Sequence, residues 1–507
     1  MIRPNPSQRI PAIAALATLA LHLAGNPHYG FFRDELYFII CGFHPAWGYV
    51  DQPPVTPLLA ASSQLFGHSL FLLRAVPAIF AAAGAYVTCL LAIELGGGAF
   101  AQILAAIAFL FANVLMSFGM KVGPDMVGLW LWPLAALYVL RIVNGGDPRL
   151  WLPAGAAIGV SLESKYSVLF FAAALLASLA LAPQRRVLLS RWFLAGAALA
   201  VLIALPNFLW QAFHGFPVWE LLRNGQNGKN LVATPGLYLF QQLLLTNLFL
   251  SPIWIVGLIW LLCNRAPRFL GCTYVVLTLL MIVFHAKHYY AGNVYPIPIA
   301  AGGVAIERWT QHRAWLQAAV AAVAVVAGCF FLPFSLPVLP EQSMVRYAAF
   351  VGGVLHVKRT TMQTERNRTS ALPEDWADMH GWPELAAKVA QIYIALPPGQ
   401  QRQAAVVASN YGEAAAIDFF GKAYGLPPAL SGHNNYWLWG PRGYSGNVII
   451  DVNGDCGAAS HLFQTARLMT RFNPPWVISY EQNIPIMLCT GIRTPLPQLW
   501  PKLRNYI

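Results

Sequence analysis

Charge is what this 507-residue sequence lacks. Asp, Glu, Lys and Arg make up 10% of it, against roughly 25% in an average globular protein. So few charges cannot wet the surface of a soluble body this large. Disorder is excluded from the other side, because 57% of the residues are apolar and mean hydropathy is +0.53. No CxxC or paired-ligand zinc spacing occurs, and no internal repeat of the kind transporters carry is visible.

What is present is a polytopic membrane protein. The 32 basic and 20 acidic residues leave a net charge of +12. In an apolar chain this surplus is a matter of membrane topology, and no nucleic-acid partner is expected. Residues 1–334 hold 18 Lys/Arg and 9 Asp/Glu, whereas the shorter stretch 335–507 holds 14 and 11. The polarity therefore changes near residue 335, and we expect a membrane domain over 1–334 followed by a water-exposed domain over 335–507.

A spanning helix needs about 20 mostly apolar residues. Eleven candidate spans are expected: Ile10–Gly25, Phe71–Leu95, Phe100–Gly119, Asp125–Val143, Leu150–Leu162, Tyr166–Ala182, Trp192–Phe213, Thr246–Cys263, Phe269–His285, Tyr289–Ile306 and Trp315–Phe334. The first also has the look of a signal peptide, but a retained helix is favoured because the polar loop after it belongs with the active face. With the N-terminus cytoplasmic, the inner side collects Arg3, Arg9, Arg141, Arg149, Arg185, Arg186, Arg191, Arg265, Arg268, Arg308 and Arg313. The outer side then receives Asp34, Glu35, Asp51, Asp125, Glu163 and Glu220. An odd span count places the tail outside too.

The tail reads as an α/β domain. Ala404–Ala408, Val448–Val452, Trp476–Ser479 and Ile486–Leu488 are expected as strands, Asp375–Ile394 and Glu413–Tyr424 as helices. The aromatic, amide-rich stretch from His433 to Pro441 is expected as a loop, with His433 to Trp439 as either a sugar-contacting surface or a packed core. Cys89, Cys263, Cys272 and Cys329 sit in or at apolar spans. Cys41, Cys456 and Cys489 lie outside, where a Cys456–Cys489 bridge could persist.

The informative pattern is that ionisable residues gather on one membrane face, from five separate loops or helix ends. They are Arg33-Asp34-Glu35 and Asp51 in the first outer loop (residues 26–70), Lys121 with Asp125, Glu163 with Lys165, and His285-Ala286-Lys287-His288-Tyr289-Tyr290. Each has a plain alternative: solvated loop acids, a helix-end ion pair between Lys121 and Asp125, or polar residues separating two spans. No cofactor is expected. His285 and His288 could hold a divalent metal, but helix-spaced histidines beside Lys287 are more often interfacial. Charges near a bilayer usually line a cavity or pair with one another, and the convergence of all five points to a site.

These residues also carry a resemblance. Phe32-Arg33-Asp34-Glu35-Leu36-Tyr37 followed by Gly48-Tyr49-Val50-Asp51-Gln52-Pro53-Pro54 resembles the first outer loop of GT-C glycosyltransferases. The bacterial branch related to protein O-mannosyltransferases and aminoarabinose transferases is the most similar. Asp125, Glu163-Ser164-Lys165-Tyr166 and His285 to Tyr290 followed by Pro296 fit that pattern in order, and Asn410-Tyr411-Gly412-Glu413 resembles the tails of one branch. The resemblance implies a GT-C fold and transfer of a hexose or pentose from a polyprenyl-phosphate donor to an extracytoplasmic lipid, glycan or protein acceptor, usually with inversion. It maps the catalytic acid onto Asp34, with Glu35 as its neighbouring competitor, and a second acid of the site onto Asp125. Gln52 departs from the lysine of the aminoarabinose transferases, so their substrate does not carry over.

The chemistry has its own logic. A lipid phosphate leaves readily as an anion, so the transfer needs one base and positive charge near the departing phosphate. Arg33, Lys121, Lys165 and Lys287 are the candidates for that charge. Asp51, Glu163, His285, His288, Tyr289 and Tyr290 are expected to contact substrate. A nucleotide-sugar enzyme would more often show a metal-binding DxD, and none occurs. The rival reading is a polytopic transporter or flippase, which would place charges deep within repeated, broken spans.

Overall fold

The computed structural model describes residues 6–228, 234–354, 370–457 and 461–507. Arg3 and the middle of the Gly- and Asn-rich loop, residues 229–233, lie outside the described residues.

Every apolar stretch expected to span is helical. The helices are Pro6–Gly25, Leu70–Glu94, Ala99–Leu110 with Asn113–Met120, Gly128–Val143, Trp151–Leu162, Val168–Ala180, Arg191–Phe213, Ser251–Cys263, Arg268–Val283, Pro296–Thr310 and Ala314–Phe331. Length separates them. Leu70–Glu94, Arg191–Phe213 and Ala314–Phe334 are long and apolar enough to cross a bilayer. Two more spans follow if each bent pair is one: Ala99–Leu110 with Asn113–Met120, bent by 64°, and Ser251–Cys263 with Arg268–Val283, bent by 120°. Three to five spans are thus clear, fewer than the eleven expected. The 12-residue helix Trp151–Leu162 rises only about 18 Å at 1.5 Å per residue, well short of a hydrocarbon core of about 30 Å.

Small residues let the helices close. A Cβ at Gly155 would strike the Gly196 carbonyl, and one at Gly196 would strike the Trp151 carbonyl. Helices Trp151–Leu162 and Arg191–Phe213 therefore cross backbone to backbone, the contact that replaces hydrophobic driving force in a membrane.

Polar groups mark the two ends of the bundle. Leu70–Glu94 runs from Arg74, which meets Glu35, to Glu94, which accepts from Arg141 Nε at 3.2 Å and Asn144 Nδ2 at 2.9 Å. Gly128–Val143 runs the same way, from beside Asp125 to Arg141. The acids and lysines expected in the site thus gather opposite the Glu94–Arg141 end.

The tail opens with helix Glu341–Val354. It continues through the short helix Glu374–Ala377, helix Trp382–Ile394, strand β1 (Ala404–Ala408), helix Tyr411–Phe420 and strands β2 (Val448–Val452), β3 (Phe463–Phe472) and β4 (Ile484–Ile492). The sheet order is β1-β2-β4-β3, with β1 parallel to β2 and the other pairs antiparallel. A parallel β1–β2 pair needs a crossover, which helix Tyr411–Phe420 begins. Cys456 and Cys489 form a disulfide beside the β2–β4 pair.

Several tail expectations are corrected. Trp476–Ser479 is a turn, with Trp476 at φ +67° and Val477 and Ile478 buried in the core. β3, rich in Gln, Thr and Arg, lacks an apolar face and lies at the sheet edge, mostly exposed. Asp375–Ile394 is broken at Gly381, which takes φ +89°. In the loop from His433 to Trp439, His433, Asn434, Asn435 and Tyr436 pack into the core, while Trp437, Leu438 and Trp439 are half-buried.

Candidate active site

The first outer loop folds back into helix Arg33–Phe43. Successive residues on a helix point about 100° apart, so its two acids face different surroundings. Glu35 turns inward and is fully buried. Its Oε1 accepts from Arg74 Nε at 3.2 Å and Val122 N at 3.1 Å, and its Oε2 from Arg74 Nη2 at 3.1 Å and Phe32 N at 2.9 Å. Arg74 also donates to the carbonyls of Asn26, His28 and Gly30. This carboxylate is enclosed by donors. Burial sets Glu35, the expected competitor of Asp34, apart from it, since both its oxygens are already engaged.

Asp34 turns outward. Its side chain is 34% exposed, and Oδ1 accepts from the Tyr411 hydroxyl at 2.7 Å. Oδ2 has no protein partner among the described residues. Tyr411 is aimed by its own helix start. Asn410 Oδ1 accepts from Gly412 N and Glu413 N at 2.9 and 3.0 Å, and the Glu413 carboxyl accepts from Asn410 N and Ser409 N in return. Gly412 is required here, because a Cβ would run into the Arg33 side chain.

Arg33 and Lys121 are occupied by the tail. Arg33 lies 3.2 Å from Asp378 and donates to the Tyr480 hydroxyl at 2.7 Å. Lys121 Nζ lies 2.6 Å from Asp375 Oδ2 and 4.1 Å from the centre of the Phe32 ring. The Lys121–Asp125 ion pair considered from spacing does not form.

Asp125 instead pairs with Lys165, at 2.6 Å, and Lys165 sits 4.3 Å from the Tyr290 ring centre and 5.1 Å from that of Tyr289. Three of the five regions meet in this one cluster. The first loop joins it where Val55 N donates to the Glu163 carbonyl at 2.9 Å and Thr56 meets Ser164 at 3.0 Å. Burial pushes the Glu163 carboxyl up to about 7, and its Oε1 is buried without a hydrogen-bond partner among the described residues.

Asp51 accepts from the Tyr37 hydroxyl at 2.9 Å, and the Tyr37 ring packs 4.6 Å from that of Tyr411. Asp34 and Asp51 thus flank one aromatic pair. Gln52 is buried with both amide atoms unpartnered among the described residues. His285 lies on an exposed turn at φ +51°, while Lys287 and His288 are half-buried, with the His288 carbonyl accepting from Gln242 Nε2 at 3.0 Å.

His285 and His288 do not fall in a group of three metal-capable side chains among the described residues. The grouping Asp451, Cys456 and Cys489 is the one set of three metal-capable side chains among the described residues. Its two sulfurs are joined to each other, so they offer no thiolate.

Sequence reasoning missed Arg74, Asp375, Asp378 and Tyr480. An arginine inside an apolar run was the available signal for the first, since a charge there demands a partner. The tail residues carry no local signal, because they meet Arg33 and Lys121 only through tertiary packing.

Residues 51–210 match the dolichyl-phosphate-mannose-protein mannosyltransferase family. The fold is similar to that of ArnT from Cupriavidus metallidurans bound to undecaprenyl phosphate, with a TM-score of 0.64 at 14% identity, covering 94% of this chain and 97% of that one. The apo form of the same protein gives 0.63 over the same coverage. No curated protein matches the chain. The family match across residues 51–210 and the shared fold make the chain similar to the membrane glycosyltransferases of the GT-C superfamily, ArnT and the mannosyltransferases among them.

Proposed function

We propose that this enzyme transfers a sugar from a polyprenyl-phosphate donor to an acceptor hydroxyl on the extracytoplasmic face of the bacterial cytoplasmic membrane, with inversion. Asp34 is the base. The acceptor oxygen attacks the anomeric carbon, its proton passes to Asp34 Oδ2, and the carbon–oxygen bond to the lipid phosphate breaks with the electron pair leaving on phosphate. Lys165, held by Asp125 and flanked by Tyr289 and Tyr290, offers positive charge to that phosphate, and Lys287 belongs to the same face. Asp51 and Glu163 line the sugar's approach. A lipid-linked donor suits an enzyme whose charged residues gather at one end of an apolar bundle, and undecaprenyl phosphate, bound to the similar ArnT structure, belongs to that chemical class.

The observation that carries this reading is the contrast within the acid pair. Glu35 has every oxygen enclosed, whereas Asp34 keeps an open face beside Tyr411. The test incubates membranes with a panel of radiolabelled polyprenyl-phosphate sugars and identifies the labelled product. Asp34→Asn, nearly isosteric but far less basic, should lower turnover by roughly 10²–10⁴-fold at equal protein level. Undiminished turnover by Asp34→Asn refutes the assignment. Full activity with a nucleotide sugar and no polyprenyl phosphate refutes the donor.

A further inference from the structure

The seam between helix Arg33–Phe43 and the tail opens, beyond Asp34, into a cavity of about 320 Å³ whose lining includes Ile40, Phe43, His44, Asp418, Lys422 and Arg442. That volume lies at the lower end of small-molecule sites, which run from about 300 to 1,000 Å³. Its cations rest on aromatic faces, and Arg442 lies near enough to Asp418 to favour that carboxylate's charge. Lys422 Nζ is 5.2 Å from the Phe43 ring centre, and the Arg442 guanidinium is 5.6 Å from that of Trp439. The Trp439 indole in turn stacks on His44, with ring centres 4.4 Å apart. Among the described residues neither Lys422 nor Arg442 forms an ion pair.

Asp418 is the acid in this lining, and its oxygens are already engaged. Oδ1 accepts from Ala429 N at 2.7 Å and Oδ2 from the Tyr436 hydroxyl at 2.9 Å. Arg442 Nη2 is buried and has no hydrogen-bond partner among the described residues. An unsatisfied guanidinium nitrogen is costly, and a planar fork beside a second cation matches the oxygens of a phosphate. Cations fixed by rings, with the nearby carboxylate engaged elsewhere, are preorganised for an anion that is not part of this chain.

We propose that this cavity is a phosphate subsite, taking a phosphomonoester carried by the acceptor. Ten residues separate Asp34 from His44, about 15 Å along a helix, so an acceptor anchored here by phosphate would present a hydroxyl at that distance to Asp34. The acceptor part rests on the glycosyl-transfer reading above; the anion site itself does not.

The test titrates the full-length protein in detergent with inorganic phosphate by calorimetry. Saturable binding is expected, weakened at least tenfold in Arg442→Gln and severalfold in Lys422→Gln, and unchanged in Asp34→Asn. Lys422 is exposed, so its variant keeps the question open to refutation if Arg442→Gln misfolds. No saturation by about 10 mM, or equal affinity in both variants, overturns the site. Phosphatidic-acid vesicles form a second arm. Competition with inorganic phosphate by these vesicles, but not by phosphatidylcholine vesicles, would assign the subsite to a bilayer headgroup and overturn the acceptor part. In a third arm, native membranes are treated with phosphatase before transfer is measured. A rise in KM for wild type but not for Arg442→Gln supports the acceptor part, and equal responses overturn it. Full transfer activity in Asp34→Asn would sink the glycosyl-transfer mechanism while leaving phosphate binding standing, so the two failures are distinguishable.

Discussion

Glu35→Gln should damage folding and not chemistry, and the structure gives the size of the effect. Glu35 and Arg74 are both fully buried, their charged atoms 3.1 Å apart. The two Glu35 oxygens receive four hydrogen bonds, two from Arg74 and one each from Phe32 N and Val122 N. An amide turns one acceptor oxygen into a donor, which then faces two donors, and it leaves the guanidinium without its counter-charge. Removing one partner of a buried ion pair costs about 3–5 kcal/mol, and this change both removes the charge and misdirects a donor. Thermal unfolding of detergent-solubilised protein should show a clear loss in Glu35→Gln, with turnover per folded molecule near wild type. Arg74→Met and the double variant complete a double-mutant cycle, in which the single losses should fall short of adding by up to about 3 kcal/mol. Wild-type stability combined with abolished turnover per folded molecule would show that Glu35 handles the proton itself, and the structural role argued for it would be wrong.

Burial holds the neighbouring Glu413 and Glu481 carboxyls above the ordinary value of 4.5, and the charge of Glu413 pushes Glu481 well above it. The native state therefore keeps a proton that the unfolded chain loses, so stability is full below about pH 4.5 and falls as pH rises through the folded value. Unfolding temperatures measured from pH 5 to 9 should decline in wild type and decline less in Glu481→Gln; parallel slopes would contradict the retained proton. Tyr411→Phe removes the hydroxyl that fixes Asp34 and should lower kcat by roughly fivefold, the equivalent of about 1 kcal/mol, and an unchanged kcat would show that Tyr411 does not position the base. Cys456→Ser opens a bridge between residues 33 apart and should cost the tail about 3–4 kcal/mol, read as earlier proteolysis of the tail; identical protease resistance with and without reductant would refute it.

Sequence order carried the site further than it carried the tail. Asp34, Asp125, Glu163, Lys165 and Tyr290 were legible because a charge in an apolar chain must be accounted for, and each stands where a helix begins or ends. Their pairing was not legible. Lys121 is four residues from Asp125, ideal for a helix pair, yet a turn at 121–124 interrupts the helix and Lys121 goes to Asp375. Spacing predicts partners only while the chain stays helical. The mostly buried strands β1 and β2 were legible as β-branched and alanine runs, but β3 was not, because an exposed edge strand has no apolar face to reveal it. Trp476–Ser479 failed for the opposite reason: its Val477 and Ile478 are apolar and buried, but a left-handed Trp476 turns the chain instead of extending it.

The distribution of counter-charges bears on how the proposed reaction divides its labour. Of the four cations expected to face the donor phosphate, Arg33 and Lys121 are matched by tail acids, Asp378 and Asp375. The tail is thereby clamped onto the same helix that presents Asp34, and Tyr411 and Asn435 add hydrogen bonds to Asp34 and to Val50 N across that seam. Lys165 belongs instead to the bundle, paired with Asp125 and covered by Tyr289 and Tyr290. Under an inverting mechanism the acceptor and the leaving group occupy opposite sides of the anomeric carbon. A base on the seam with the tail and a lysine among the spans meet that demand in the proposed reaction, one standing for each side of the anomeric carbon. Arg33 and Lys121 then act by holding the tail in register over Asp34, and their loss should disturb acceptor use before donor binding.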